Sequence, residues 1–221
     1  MSGSPENVSG TATPASWRTE QEAFWAGEFG DDYIQRNQSA ELLASNLNFF
    51  TRALSNAVAP ASFTEFGANI GMNLRALKLL YPNASLSGVE INARAATELR
   101  GFLGADNVFE GSILDYKPAT PVELALIKGV LIHINPDMLP AIYDTLVAAS
   151  ARYVLVCEYY NRSPVAIPYR GHDDRLFKRD FAGEILDRHP TLRLVDYGFA
   201  YHRDPTHPQD DISWFLMEKQ R

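Results

Sequence analysis

The sequence predicts an α/β domain with a seven-stranded, mostly parallel sheet that ends in an antiparallel hairpin. The chain has 221 residues, which is enough for one such domain with a full core. After Pro60, segments with strand character alternate with segments of helical period, a pattern typical of a parallel sheet with helices on both faces. No helical segment separates the last two strands, so we expect them to pair antiparallel.

The seven predicted strands are short runs of apolar or alternating residues. The fourth is almost wholly apolar, as expected for a strand that is buried on both faces. In chain order the strands are predicted at Ser62–Phe66, Ala84–Glu90, Asn107–Glu110, Val122–Lys128, Arg152–Glu158, Leu192–Phe199 and Asp211–Glu218.

The predicted helices lie between these strands and carry recognisable start signals. Asn92 is a suitable N-cap for the helix after the second strand. Asn135 and Pro136 place an N-cap before a proline at the first helical position. Helices are predicted at Met72–Tyr81, from Asn92 to about Phe102, from Pro136 through Leu146 and near Arg179–Arg188, with a polar loop at Asn161–Asp174.

The residues before the alternating pattern form two further segments. Residues 1–15 are rich in Ser, Gly, Thr and Pro, and we expect them to be disordered. Residues 16–60 have helical character, with Trp25, Phe29 and Tyr33 recurring every four residues, and are predicted to form a helical cap. The rest of the chain, 61–221, is the predicted ligand-binding core of a single domain.

Composition and charge restrict the class of protein. No apolar run approaches the roughly 20 residues of a membrane span, and no signal-peptide pattern opens the chain, so a cytoplasmic location is expected. The formal net charge is -7, with no block of basic residues, which argues against a nucleic-acid partner. Cys157 is the single cysteine, so no intramolecular disulfide can form.

A glycine-containing turn follows the first predicted strand. Ligands of open parallel sheets bind beyond the carboxyl ends of the strands. There the chain reads Glu65-Phe66-Gly67-Ala68-Asn69-Ile70-Gly71, in which Gly67 permits a sharp turn and Gly71 lets the next helix begin close to a ligand. The N-terminus of that helix offers free N–H groups and a partial positive charge.

Glu90 strengthens the interpretation as an adenosine site. It ends the second predicted strand about 20 residues beyond the turn, where a carboxylate accepts both ribose hydroxyls. The alternative is that Glu90 only caps the following helix. A dinucleotide site prefers glycine at the middle position of the turn, which here is Asn69, so a dehydrogenase or epimerase that binds NAD is the less favoured reading.

On these residues the chain resembles the class I methyltransferases that use S-adenosylmethionine (SAM), which have a Rossmann-like fold. The resemblance runs from Ser62 onward and includes Gly111-Ser112-Ile113 after the third strand and Ile127 to His133 after the fourth. The sequence departs from the commonest pattern at Asn69, where glycine is frequent, and at Ser112, where aspartate is frequent. The resemblance implies a cofactor site that includes Glu65, Gly67, Asn69, Gly71, Glu90, Ile91, Ser112, Ile113, Lys128 and Gly129.

Three longer stretches are similar to the methylases associated with pseudaminic acid biosynthesis. They are Thr19–Asn37, Phe66–Leu74 and Tyr169–Phe181. This narrower resemblance implies a small polar acceptor, of sugar type or derived from a sugar. In the cap, Tyr33 and Arg36 are expected at the cofactor, with Arg36 a candidate partner for the carboxylate of SAM.

The acceptor is expected at the ends of the fourth and fifth strands. Methyl transfer is an in-line displacement, and a hydroxyl acceptor also needs a base. His133, Glu158 and His172 are the candidate bases, and His172 has an unperturbed pKa near neutral. Structural alternatives remain for each: a turn-closing hydrogen bond for His133, an arginine pair for Glu158 and a solvated loop for His172. Predicted acceptor-binding residues are Tyr159, Tyr160, Tyr169 and Arg170.

The sequence also bears on metal binding and on two alternative functions. The five histidines are scattered without metal-ligand spacing, so no metal site is expected. A protein that binds SAM without chemistry, and a methyltransferase that acts on protein or RNA, stay open as alternatives.

Overall fold

The computed structural model describes residues 17–34, 38–168 and 176–220. The strands are β1 (Ser62–Phe66), β2 (Ser85–Glu90), β3 (Val108–Glu110), β4 (Val122–Lys128), β5 (Ser150–Glu158), β6 (Val165–Ala166), β7 (Phe177–Lys178), β8 (Leu192–Phe199) and β9 (Ser213–Lys219). The α-helices are α1 (Glu20–Ala26), α2 (Glu28–Ile34), α3 (Ala40–Ala53), α4 (Met72–Leu80), α5 (Ala93–Leu103), α6 (Leu139–Ala149) and α7 (Phe181–Arg188).

The main sheet has seven strands in the order β3-β2-β1-β4-β5-β9-β8. The first five strands in this order, β3, β2, β1, β4 and β5, pair in parallel. β9 pairs antiparallel with β5 on one side and with β8 on the other. The predicted fold class, including the closing hairpin, is therefore confirmed.

Two apolar cores fill the two faces of this sheet. Successive side chains of a strand point to opposite faces. Leu124 and Leu126 of β4 therefore pack towards α3 and α4, while Ala125 and Ile127 pack towards α6 and α7. All four are fully buried, which confirms that β4 is covered on both sides.

Helix starts follow the local capping chemistry. The Asn92 side chain accepts a hydrogen bond from the N–H of Ala95 at 2.9 Å, as the sequence predicted for an N-cap. Asn135 caps a short 3₁₀ turn, Pro136–Met138, and the α-helix itself begins at Leu139. The predicted helical cap at the N-terminus is divided into separate helices, because α1 ends at Ala26 and Gly27 has an extended backbone.

Two short strands were not predicted. β6 and β7 pair antiparallel through Val165 with Lys178 and Ala166 with Phe177. β6 falls inside the predicted polar loop, and part of that loop, 169–174, lies outside the described residues.

β8 forms one edge of the main sheet. Its register against β9 shifts between Leu194 and Asp196. Two side chains reach this edge, one from α3 and one from the residues that follow it. The Arg52 guanidinium of α3 donates to the carbonyl of Phe199 at 3.1 Å, and the Asn56 amide donates to Asp196 at 2.9 Å. Every helix in the described ranges falls short of the length and apolar character that a membrane span requires.

Candidate active site

A cavity of about 500 Å³ opens at the carboxyl ends of the parallel strands. This volume lies within the range of small-molecule sites. Its walls come from the loops after β1, β2, β3 and β4, from the helices α1, α2 and α3, and from the β8–β9 connection. The cavity therefore occupies the position that the sheet topology predicts for a ligand.

The turn after β1 is held in a conformation that requires glycine. Gly67 has φ 73° and Gly71 has φ 83°, and Asn69 between them also has a positive φ of 49°. A Cβ atom on Gly67 would lie 2.4 Å from the Val130 side chain. The turn thus runs close against the loop after β4, and both Gly67 and Asn69 line the cavity.

Glu90 joins two of the loops that form the cavity wall. One carboxylate oxygen accepts the N–H of Asn69 at 2.7 Å, and the other accepts the N–H of Asn92 at 2.8 Å. The residue is only 6% exposed and lines the cavity. Burial raises its pKa, while the backbone donors oppose that rise. Each oxygen keeps a further lone-pair site for a ligand hydroxyl.

Two ionisable residues, Glu65 and Lys128, lie on the α3–α4 face of the sheet at the strand ends. Glu65 is fully buried. One of its oxygens accepts from the Asn73 amide at 2.6 Å, and the other has no hydrogen bond among the described residues. Burial raises the pKa of Glu65 to about 8. Burial also lowers the pKa of Lys128, against the opposing effect of nearby groups that include Cys157 and Glu65.

The N-terminal helices close one side of the cavity. Trp25 and Tyr33 line it, and the ring of Trp25 lies 4.7 Å from that of His133, another lining residue. Polar contacts between the N-terminal segment and the core help to hold these helices in place. Ser112 donates to Glu22, the Asn92 amide donates to Asp31 at 2.9 Å, and Arg18 pairs with Asp115.

The structure brings many of the predicted site residues to the cavity. Those that line it are Tyr33, Gly67, Asn69, Glu90, Ile91, Ile113, Lys128, Gly129, His133 and Tyr159. The predicted residues that do not line it are Glu65, Gly71, Ser112, Glu158 and Tyr160. Arg36, Tyr169, Arg170 and His172 lie outside the described residues.

Glu158 holds the loop after β4 instead of facing the cavity. One oxygen accepts the N–H groups of Val130 and Leu131 at 2.9 and 2.8 Å. Burial raises its pKa to about 7. Its other oxygen has no hydrogen bond among the described residues. No arginine pairs with Glu158 in the described ranges, and its role as a base stays a prediction.

Tyr160 and Ser112 also lie away from the cavity. Tyr160 is 46% exposed, and its ring lies 6.0 Å from that of Phe215. Ser112 is buried under α1, where its hydroxyl is engaged by Glu22. The resemblance placed Ser112 beside the cofactor, and its neighbours Gly111 and Ile113 do line the cavity. The roles expected for Ser112 and Tyr160 stay predictions.

Sequence reasoning missed the wall formed by α3 and the β8–β9 connection. Asn46, Gln209 and Asp210 line the cavity there. The Gln209 amide donates to the Asn46 carbonyl oxygen at 3.0 Å, and both residues are buried. The two partners are 163 residues apart, and no sequence spacing indicates such a contact.

Solved structures share this architecture across the chain. No protein-family model matches the sequence, and no curated protein matches it. The 1,6-didemethyltoxoflavin-N1-methyltransferase of Burkholderia thailandensis aligns with a TM-score of 0.66 at 16% identity, over 99% of this chain and 100% of that one. The sugar N-methyltransferase KedS8 of Streptoalloteichus aligns with a TM-score of 0.61 at 11% identity, over 100% and 99%.

The mitomycin 7-O-methyltransferase MmcR aligns over 91% of this chain with a TM-score of 0.64 at 15% identity, and the chain spans 61% of its length. These likenesses confirm the predicted class of fold, the Rossmann-like fold of SAM-dependent methyltransferases. The narrower resemblance, to methylases associated with pseudaminic acid, is not confirmed, since no family model matches.

Proposed function

We propose that this protein transfers the methyl group of SAM to a small polar acceptor. The observation that carries the proposal is the position of Glu90, whose carboxylate lies in the cavity wall between the loops after β1 and β2. This is where a carboxylate accepts the hydroxyls of an adenosine ribose in Rossmann-like folds. The inserted antiparallel strand β9 favours the methyltransferase over a dinucleotide-binding enzyme, whose sheet follows the order 3-2-1-4-5-6.

The cofactor would extend across the ends of β3, β2, β1 and β4. Ile91 and Ile113 would contact the adenine, and Glu90 would bind the ribose. The turn at Gly67 and Asn69, together with Gly129, would approach the methionine portion. Tyr33 would close the site from the cap, with Arg36 as a partner for the cofactor carboxylate. Glu65, Gly71 and Ser112 would act by shaping the loops.

The acceptor would lie beyond the end of β4, beside His133 and Tyr159. A hydroxyl acceptor needs a base within hydrogen-bonding reach, and His133 is the predicted base that lines the cavity. His172, Tyr169 and Arg170 are further candidates for this side of the site. Alignment of the acceptor with the methyl and sulfur atoms supplies much of the rate enhancement in such a displacement.

A sugar or sugar-derived acceptor is the finer part of the proposal. Its support is the sequence resemblance given above and the shared fold of KedS8, which is described as a sugar N-methyltransferase. MmcR, which shares the fold, is described as a mitomycin 7-O-methyltransferase, so the acceptor class is tested separately from the cofactor.

Replacement of Glu90 by glutamine tests the cofactor site. We expect S-adenosylhomocysteine to bind the wild-type protein in calorimetry, with no comparable binding of NAD. Glu90→Gln should weaken this binding by roughly tenfold or more, because an anionic acceptor of two hydroxyl hydrogen bonds is lost.

Glu110→Gln is the matched control, since Glu110 ends β3 as the register partner of Glu90 but pairs with Arg100 outside the cavity. Equal affinities in the two variants, or no binding by the wild-type protein, would contradict the proposal.

A further inference from the structure

Lys128 lines the cavity and carries an ammonium group without a hydrogen-bonded partner among the described residues. The residue ends β4, lines the cavity and is partly buried. Its nitrogen lies 5.4 Å from the ring centroid of Phe49, within cation–π range. No hydrogen bond or ion pair joins this nitrogen to any residue that the structure describes. An ammonium group removed from water without an anionic partner is costly, so the site is suited to a ligand that supplies one.

Asn46 adds a second donor on the same side. It is 1% exposed and lines the cavity. Its carbonyl oxygen is occupied by the Gln209 amide, while its amide nitrogen makes no hydrogen bond among the described residues. Asn46 and Phe49 are three residues apart on α3 and therefore share a helix face. Asn46 and Lys128 therefore both line the cavity where α3 meets the end of β4.

No neighbouring acidic group forms an ion pair with Lys128 in the described part of the chain. Glu65 contributes little negative charge at neutral pH, because burial raises its pKa to about 8. Burial also raises the pKa of the Cys157 thiol, which stays neutral. Asp210, which lines the cavity, and Glu158 lie near enough to raise the pKa of Lys128 and so favour its charged form. The Lys128 ammonium and the Asn46 amide therefore remain as two donors for a ligand group that accepts hydrogen bonds.

Lys128 and Asn46 lie at the end of the cavity away from the proposed adenine position. Glu90 ends β2 and Ile113 follows β3, whereas Lys128 ends β4, and residues from α3 and the β8–β9 connection line the cavity there. In the sheet, β4 is separated from β2 by β1, and β9 lies two strands further on. A cofactor with its ribose on Glu90 therefore places its adenine at the opposite end of the cavity from Lys128.

We propose that Lys128 and Asn46 bind a carboxylate of the methyl acceptor, so that the substrate is an acidic small molecule. The inference rests on the proposed methyl transfer and deepens it. A carboxylate offers two acceptor oxygens, one for the ammonium and one for the amide. Lys128 is thereby a residue that determines specificity between acidic acceptors and their neutral analogues.

A binding experiment with matched probes tests the inference. The protein is first saturated with S-adenosylhomocysteine, and its affinity for uronic and aldonic sugar acids is measured by ligand-observed NMR. Each acid is paired with its own primary amide, which has nearly the same shape and no charge. We expect at least one acid to bind roughly tenfold or more tightly than its amide.

Variants of Lys128 test whether this residue causes the preference for an acid over its amide. Lys128→Met should abolish the preference for the acid, while Lys128→Arg retains part of the preference. Lys117→Met, an exposed lysine outside the cavity, should behave as wild type. Melting temperatures verify that each variant is folded.

Three outcomes would overturn the inference. One is the absence of any preference for acids in the wild-type protein. Another is an acid preference that survives in Lys128→Met. The third is a Lys128→Met variant that loses S-adenosylhomocysteine while it keeps the acid preference, which would assign Lys128 to the cofactor. Failure of the wild-type protein to bind S-adenosylhomocysteine would instead reject the proposed function itself.

Discussion

Gly67 occupies a position where backbone conformation and close packing both exclude a side chain. Its φ is 73°, and a Cβ atom would lie 2.4 Å from Val130. Gly67→Ala should destabilise the protein by roughly 1–3 kcal/mol, the usual cost of a strained backbone position. The variant should also bind S-adenosylhomocysteine more weakly, because the turn must move away from the cavity.

Gly101→Ala is the matched control for this prediction. Gly101 lies in α5, and a Cβ atom there meets no atom within 4 Å. Alanine in a helix is favoured over glycine by roughly 0.5–1 kcal/mol, so this variant should gain stability. Urea denaturation measures both changes. A Gly67→Ala protein with wild-type stability and affinity would refute the assignment.

At the residue scale, the sequence identified strand-end positions better than side-chain directions. Glu90 and Lys128 both end predicted strands, and both line the cavity. Glu158 also ends a strand, but it points to the opposite face from Lys128 and binds the backbone of Val130 and Leu131. The loops that pack against a strand end determine which of its two faces meets the ligand. Local sequence periodicity does not show how those loops pack.

The docking of α1 depends on a buried hydrogen bond between Ser112 and Glu22. Ser112 donates to Glu22, which is 9% exposed, and accepts from the N–H of Leu114 at 3.1 Å. Ser112→Ala removes the hydroxyl that both Glu22 and the Leu114 N–H use, although Glu22 still accepts the N–H of Arg18 at 2.8 Å, and should cost roughly 1–3 kcal/mol. Because α1 and α2 carry Trp25 and Tyr33 to the cavity, cofactor affinity should fall as well.

Hydrogen exchange across Glu20–Ile34 measures this effect directly. Exchange should accelerate in Ser112→Ala and change little in Arg18→Met, since the Arg18–Asp115 pair is exposed on both sides. Unchanged exchange in Ser112→Ala would show that other contacts are sufficient to hold α1.

At the element scale, periodicity predicted the strands of the main sheet to within about two residues. β1, β4 and β8 begin and end where the sequence placed them. β6 and β7 were missed because two residues are too few to show an alternating pattern. The contact of Asn46 with Gln209 was missed because only the folded sheet brings α3 to the β8–β9 connection.

At the scale of the whole molecule, the ionisation of Glu65 should contribute to the pH dependence of the free energy of unfolding. Burial raises the pKa of Glu65 from its usual 4.5 to about 8. Between these values the folded chain holds a proton that the unfolded chain has released. The free energy of unfolding therefore falls as pH rises through this window, on the order of 1.4 kcal/mol for each pKa unit.

Urea denaturation at pH 5 and pH 8 tests this expectation. Glu65→Gln should reduce the loss of stability between the two pH values, because glutamine does not ionise. Glu98→Gln, an exposed position on α5, should leave the loss unchanged. Parallel pH curves for Glu65→Gln and the wild-type protein would contradict the assigned burial effect.

The free edge at β8 bears on how the protein behaves at high concentration. An exposed strand edge is a template on which another chain can add a strand and begin to aggregate. Here the shift between Leu194 and Asp196 breaks the regular ladder, and Asp196 itself accepts the N–H of Tyr197 at 2.9 Å. Arg52 occupies the carbonyl of Phe199. Between Asp196 and Phe199, where the edge exposes aromatic side chains, one N–H and one carbonyl are thus already paired, which disfavours the addition of a strand at this segment.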